Sequence, residues 1–280
     1  MMDGFEHLKV ELEDDGRLAL LRFDHGKANE MGTAQLRELE RFAQALEDPE
    51  GPRVVITWSD RVSSRGTPIF VAGADVTERA GWSALEIKEH VRWQRRVLAI
   101  VRQAPVFHVA VVHGVALGWG TEYCLVCDYR IACDDARFGL PETGLGIVPG
   151  AGGTSELWSH VGVPQALRLG MTGEQIDADE AYAMGLVQER LPDVGAGLER
   201  ARALAARVVT RSPTAVAAFK RAVLTAIGKE GVLRSEEEAR AYEHCVDSGD
   251  AAVGRRHFDE IRQGGSPPWR GRVPWRPLNS

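Results

Sequence analysis

The residues from His113 to Thr154, HGVALGWGTEYCLVCDYRIACDDARFGLPETGLGIVPGAGGT, constrain this chain more than any other part of it. Two glycine-dense turns frame an apolar segment, and each carries one glutamate. Glu122 follows Gly118-Trp119-Gly120, and Glu142 follows Pro141. Glycine lets backbone approach backbone or ligand closely. A carboxylate beside such a turn is a candidate acid or base, because low solvation and close contacts tune its pKa. The two glutamates are twenty positions apart, on different elements.

Upstream, Leu8–Glu13 and Leu18–Phe23 read as strands joined by the turn Asp14-Asp15-Gly16. A polar loop, 24–29, precedes a helical spacing of apolar residues over Met31–Glu47. Arg53–Trp58 and Phe107–Val112 read as buried strands, and Ser59–Pro68 is polar and turn-rich. Ser83–Arg102 reads as a helix with Ser83 as its N-cap. Inside the glycine-framed stretch, Thr121–Cys127 suits a short helix and Tyr129–Cys133 a strand. Beyond Gly153 the pattern is mostly helical: Thr154–His160, Pro164–Met171, Asp177–Met184, Val194–Thr210, Pro213–Ile227, Ser235–Ser248 and Ala251–Gln263, with a strand at Leu186–Arg190. The tail GGSPPWRGRVPWRPLNS has four prolines and no helical periodicity, which predicts an extended, partly disordered end. Repeated strand–strand–helix units predict an α/β fold. The chain divides into a core over 1–205, a helical region over 206–262 and an extended tail over 263–280.

Charge and composition exclude some partners. The formal charge is −6, which argues against nucleic acid and anionic membranes, and no apolar run approaches a membrane span. The acidic N-terminus lacks a signal-peptide core and the cysteines sit in apolar surroundings, so a cytoplasmic location is expected. Cys124 and Cys127 form a lone CxxC with no second ligand pair nearby, so they read as small core residues and no metal site is expected. His25, His108 and His113 have no nucleophile partner in the sequence. The run GIVPGAGG lacks the ending of a phosphate-binding loop and reads as a turn that opens a helix.

The pieces VALGWGTE, CDYRIA and ARFGLPETGLGIVPGAGGT, with IFVAGADVTE upstream at 69–78, resemble the signature of the crotonase (enoyl-CoA hydratase/isomerase) superfamily. The resemblance runs from about residue 6 to about residue 262. It implies a spiral of ββα units followed by a helical C-terminal trimerisation region, assembled as a homotrimer or a dimer of trimers. It also implies an acyl-CoA thioester as substrate, with coenzyme A part of the substrate and no separate cofactor.

The resemblance assigns roles to particular residues. The backbone amides of Ala74, in the AGAD turn, and Trp119 form an oxyanion hole for the thioester oxygen, where charge builds as an enolate. Trp119 stands where the family usually has glycine, so its indole packs in the core or reshapes the acyl pocket. Glu122 acts as base on a water and Glu142 donates a proton toward the α carbon. Ala28-Asn29, after Lys27, resembles the segment that contacts the adenine of CoA, with Lys27 and Ala28 assigned to CoA binding; Ala72, Ala74 and Val76 resemble the one along the pantetheine. Lys27, Arg22 and Lys88 are possible phosphate partners or solvated charges. Trp82, Trp119 and Trp158 are candidates for the acyl pocket, and Asp75 for a helix cap.

The function this implies is hydration of the 2,3 double bond of an enoyl-CoA. Three other readings stay open. A double-bond isomerase needs only one glutamate as proton shuttle. A carbon–carbon hydrolase of cyclic β-diketones would need an aspartate in the PGxG turn, where Ala151 stands. A non-catalytic binding protein on the same fold would have no use for both glutamates.

Overall fold

The computed structural model describes residues 4–275; expectations for 1–3 and for 276–280 lie outside the described residues. The elements follow in order: β1 (Leu8–Glu13), β2 (Leu18–Phe23), α1 (Thr33–Ala45), β3 (Val54–Ser59), β4 (Arg61–Val62), β5 (Pro68–Val71), α2 (Ala84–Gln103), β6 (Phe107–Val112), β7 (Val115–Leu117), α3 (Trp119–Val126), β8 (Tyr129–Cys133) and β9 (Arg137–Gly139). A 3-10 turn (Pro141–Leu145) leads to α4 (Gly153–Thr172), β10 (Gln175–Asp177), α5 (Ala178–Ala183), β11 (Glu189–Leu191) and α6 (Val194–Val209). Four helices finish the chain: α7 (Pro213–Ala226), α8 (Gly231–Asp247), α9 (Asp250–Arg256) and α10 (Phe258–Arg262).

The strands form two sheets, ordered β1-β2-β3-β6-β8-β11 and β10-β9-β7-β5-β4. From β3 onward the chain lays a strand in the first sheet and then one in the second, before a helix returns it: β3 then β5, β6 then β7, β8 then β9. This is the spiral of ββα units expected from the sequence. The large sheet is parallel from β2 to β11, and its inner strands β2, β3, β6 and β8 are largely apolar and buried on both faces, as covered parallel strands must be. One face packs on α6 through Ala201 and Ala205. The other meets the main core with α1, α2 and α3.

Several local signals match their elements. Ser83 caps α2 through a reciprocal pair: its Oγ accepts from the Glu86 amide, and Glu86 Oε2 accepts from the Ser83 amide. α4 kinks at Gly162, before Pro164, which is why the sequence shows two helices there. Three readings are corrected. The single helix over Ala251–Gln263 is two, because the chain leaves helical geometry at His257. The polar loop after β3 folds back as β4 on β5. The tail has no regular structure in its described part, yet it is pinned. The buried guanidinium of Arg272 donates to the carbonyls of Leu46, Asp48 and Pro105, and Trp269 Nε1 donates to Thr210. Leu46 is the C-cap of α1 and Asp48 lies just beyond it, so Arg272 satisfies carbonyls at and after a helix end. No helix among the described residues is long and apolar enough to cross a membrane.

Candidate active site

The site is built on α3, a short helix whose every residue is buried. Both of its ends are tied by side chains. At its start Thr121 Oγ1 donates to Ala116 and Gly139 carbonyls and accepts from the Gly139 amide, which joins α3 to β7 and β9. At its end the buried guanidinium of Arg130 donates to the carbonyls of Cys124, Cys127 and Leu186. Close approach on the third side depends on Gly120, where a Cβ would lie 2.2 Å from the Val71 carbonyl of β5. A residue in the first turn of so constrained a helix has a fixed position. That residue is Glu122, 3% exposed.

Glu122 Oε1 accepts from the amides of Ala151, at 2.7 Å, and Gly153, at 2.9 Å. The GIVPGAGG turn is therefore a cradle for this carboxylate. Burial pushes the Glu122 carboxyl above the ordinary value, against the opposing pull of the Gly153, Ala151 and Gly152 amides. Glu142, in the 3-10 turn, lies on the same cavity. Its Oε2 is buried with no hydrogen-bond partner. Burial pushes Glu142 up to about 7; its own backbone amide acts the other way and the charge of Glu122 adds to the rise. The two carboxyls thus influence one another across one space.

The Gly118 turn brings the parts together. Gly118 has φ 51°, and a Cβ there would fall 2.8 Å from Glu142 Oε1 and 3.8 Å from the Gly73 Cα. The turn before α3, the AGAD turn and the Glu142 carboxyl therefore touch. Trp119 and Ala74 follow these glycines, and among the described residues neither amide donates to a protein acceptor. Both residues line the cavity, of about 230 Å³, with Glu122, Glu142, Gly73, Gly118 and apolar side chains that include Val91, Leu145, Ile147 and Val148. Larger hollows of about 460 and 710 Å³ lie on α7 and α8, and neither has the paired carboxyls.

The indole of Trp119 packs in the main core, 1% exposed, stacked on Tyr123 at 5.5 Å. Tyr123 in turn meets Thr57 and His108 in a buried hydrogen-bonded trio, and burial lowers His108 to about 3. Trp82 and Trp158 do not line the cavity, contrary to expectation. Trp82 lies edge-on to His90, and Trp158, on α4, is 51% exposed beside the buried Leu157. Ala72, Ala74 and Val76 line the cavity. Lys27 is exposed and Ala28 stands off, but the Ala28 carbonyl accepts from the Ala72 amide. Asn29 holds that loop in place, with Nδ2 donating to Phe70 and Ser59 and Oδ1 accepting from the His25 amide. Arg22 is paired with Asp60, and Lys88 is exposed. Asp75 caps a turn rather than a helix, accepting from the Thr77 and Glu78 amides. Cys124 and Cys127 are free, buried thiols.

Sequence reasoning missed Thr121, Arg130, Arg79 and Gln94, and the Asn29 side chain's hold on its loop, because these contacts join distant segments. A buried arginine seven residues beyond Tyr123, in an apolar strand, was the one available signal.

The structure resembles the crystal structure of an enoyl-CoA hydratase from Bacillus anthracis, with a TM-score of 0.86 and 32% identity, covering 95% of this chain and 100% of that one. The chain is 33% identical over 261 residues to a crotonyl-CoA hydratase of Syntrophomonas wolfei, covering 91% of this chain and 96% of the relative. It is 32% identical over 256 residues to a short-chain-enoyl-CoA hydratase of Clostridium acetobutylicum, covering 91% and 95%. The family model described as enoyl-CoA hydratase/isomerase matches residues 14–272, and with relatives this similar over nearly their whole length, the chain belongs to the enoyl-CoA hydratase/isomerase family.

Proposed function

We propose that this protein is an enoyl-CoA hydratase that adds water across the 2,3 double bond of a short enoyl thioester. One observation carries the reading: two carboxyls, both raised by burial, share a cavity with two amides that have no protein acceptor. In this reading the thioester oxygen accepts from the Ala74 and Trp119 amides. Glu122 takes a proton from water, and the water oxygen bonds to the β carbon. The electron pair of the double bond moves to the thioester as an enolate, whose charge the two amides stabilise. Glu142 then gives its proton to the α carbon. A carboxyl poised near neutrality suits that transfer. Glu122 Oε1 is occupied by two amides, so Oε2 is the atom for the water.

The cavity is below the usual range of roughly 300–1,000 Å³ for ligand sites, which favours a short acyl group. Ala72 and Val76 would run along the pantetheine, and the Lys27-Ala28 segment, tied to Ala72, would meet the adenine end. Position 151 offers Glu122 an amide and no acidic side chain, which weighs against β-diketone cleavage. Exposed apolar side chains on α7 and α8, such as Phe219 and Tyr242, each 72% exposed, support assembly as a homotrimer or a dimer of trimers.

The test is loss of the conjugated thioester absorbance of crotonyl-CoA, with Glu122→Gln and Glu142→Gln as controls. Turnover that falls by about 10²–10⁴ in each variant is the expected result. No hydration of any enoyl-CoA, or full activity in both variants, would overturn the reading. Faster conversion of a 3-enoyl-CoA than hydration of its 2-enoyl isomer would point to the isomerase instead. Light scattering at a mass of one chain would remove the assembly.

A further inference from the structure

One wall of the same cavity holds a cation that the hydration chemistry does not use. Arg79 lies in the loop after the AGAD turn, and Gln94 on α2; both line the cavity with Glu122 and Glu142. The Arg79 guanidinium has no carboxylate within ion-pair distance among the described residues. Its one side-chain contact is to Gln94 Oε1, at 3.5 Å, the outer limit of a hydrogen bond. Its Nε is buried without an acceptor. Gln94 is 3% exposed, and its Nε2 is likewise buried without an acceptor. The nearest acids are committed elsewhere. Asp75 Oδ1 accepts from the Thr77 hydroxyl and from the Thr77 and Glu78 amides, and Glu78 Oε2 accepts from the Thr33 amide. They act on Arg79 only through their charge, and burial lowers its pKa while the group stays a cation. His90, on the preceding turn of α2, is directed to Thr33.

An Arg79 Nε and a Gln94 Nε2 buried without acceptors, on two side chains that line one cavity, are costly unless something satisfies them. Their combined donors match the two oxygens of a carboxylate. The wall is part of the reacting end of the cavity. A Cβ at Gly150 would lie 2.5 Å from Val91 Cγ1 of α2, and the next residue, Ala151, donates to Glu122. We propose that Arg79 and Gln94 bind a carboxylate on the acyl chain, so that the substrate is a short enoyl-CoA carrying an acid at its far end. This rests on the hydratase reading for the site, and goes beyond it by naming the substrate class.

The test uses binding of saturated thioesters, which does not depend on turnover. Calorimetry compares succinyl-, glutaryl- and adipyl-CoA with butyryl-CoA and with CoA itself. At least one dicarboxylic thioester is expected to bind roughly tenfold or more tightly than butyryl-CoA, as a charge-assisted pair of hydrogen bonds would give. In Arg79→Met that ratio falls to near one; Arg79→Lys retains part of it, and Gln94→Met lowers it by a smaller factor. Equal affinities in the unaltered protein overturn the proposal even if no variant folds. So does a ratio that survives Arg79→Met, or a loss in that variant equal for every thioester and for CoA, which would place Arg79 on the phosphates. If crotonyl- and glutaconyl-CoA are not hydrated but the ratio holds, the hydratase reading fails and the carboxylate site stands. If hydration occurs and the ratio is absent, the carboxylate site alone fails.

Discussion

Replacing Glu142 by glutamine separates the chemistry of this carboxyl from its effect on stability. The glutamate is raised from 4.5 to about 7, chiefly by burial. A raised acid holds its proton in the folded state at pH values where the unfolded chain has lost it. Its stabilising contribution is therefore complete below about 4.5 and is lost as pH rises through about 7. A shift of this size corresponds to about 3 kcal/mol, and partial exposure of the side chain reduces this to about 2 kcal/mol. Glutamine has nearly the same shape and no charge at any of these pH values, so the variant keeps the neutral form throughout. Thermal or urea denaturation at pH 5 and pH 8, at one protein concentration, should show near-equal stabilities at pH 5. At pH 8 Glu142→Gln should be the more stable, by about 2 kcal/mol or roughly 4–8 °C in melting temperature. Hydration in the same variant should fall by about 10²–10⁴. A variant that gains stability above neutrality while losing activity marks a group held against its preference for function. Parallel pH dependences for the two proteins, or a variant that weakens relative to the parent as pH rises, would refute the argument.

Other changes test other parts of the site. Gly118→Ala puts a Cβ 2.8 Å from Glu142 Oε1 at a φ of 51°, so it should cost about 1–3 kcal/mol by denaturation and remove most turnover. Glu122→Ala leaves the Ala151 and Gly153 amides without their acceptor, and hydrogen exchange at those two amides should quicken while exchange in β6 is unchanged. Arg272→Ala strands the carbonyls of Leu46, Asp48 and Pro105 and should cost about 2–4 kcal/mol in urea denaturation. The KM for crotonyl-CoA should stay within about twofold, because Arg272 lies away from the cavity.

The sequence revealed the long elements best. β1, β2, β6 and β8 have the bounds read from the sequence: β2, β6 and β8 are buried on both faces and leave a nearly continuous apolar block, and β1 shows through its apolar–polar alternation before the Asp14-Asp15-Gly16 turn. β7 and β9 were not visible. They are three residues each, next to glycines, and become strands only by pairing with each other and with β5 and β10. The break at His257 has neither glycine nor proline to announce it. The glutamates were legible because glycine turns flag close approach. The direction of an aromatic side chain has no such flag: Trp119 stacks inside on Tyr123, and Trp158 lies outside. Arg79 and Gln94 come together from a loop and a helix fifteen positions apart, and neither residue type is unusual where it stands.

The order of strands in the large sheet, β1-β2-β3-β6-β8-β11, is also their order along the chain. As a ribosome releases the polypeptide from its N-terminus, every later strand of that sheet meets a neighbour already made, and only one rim awaits the next addition. Growth by accretion of this kind resembles the stepwise extension of repeat proteins. Synthesis and folding can then advance together, with the segment bearing Glu122 completed before the helices that follow it have been translated.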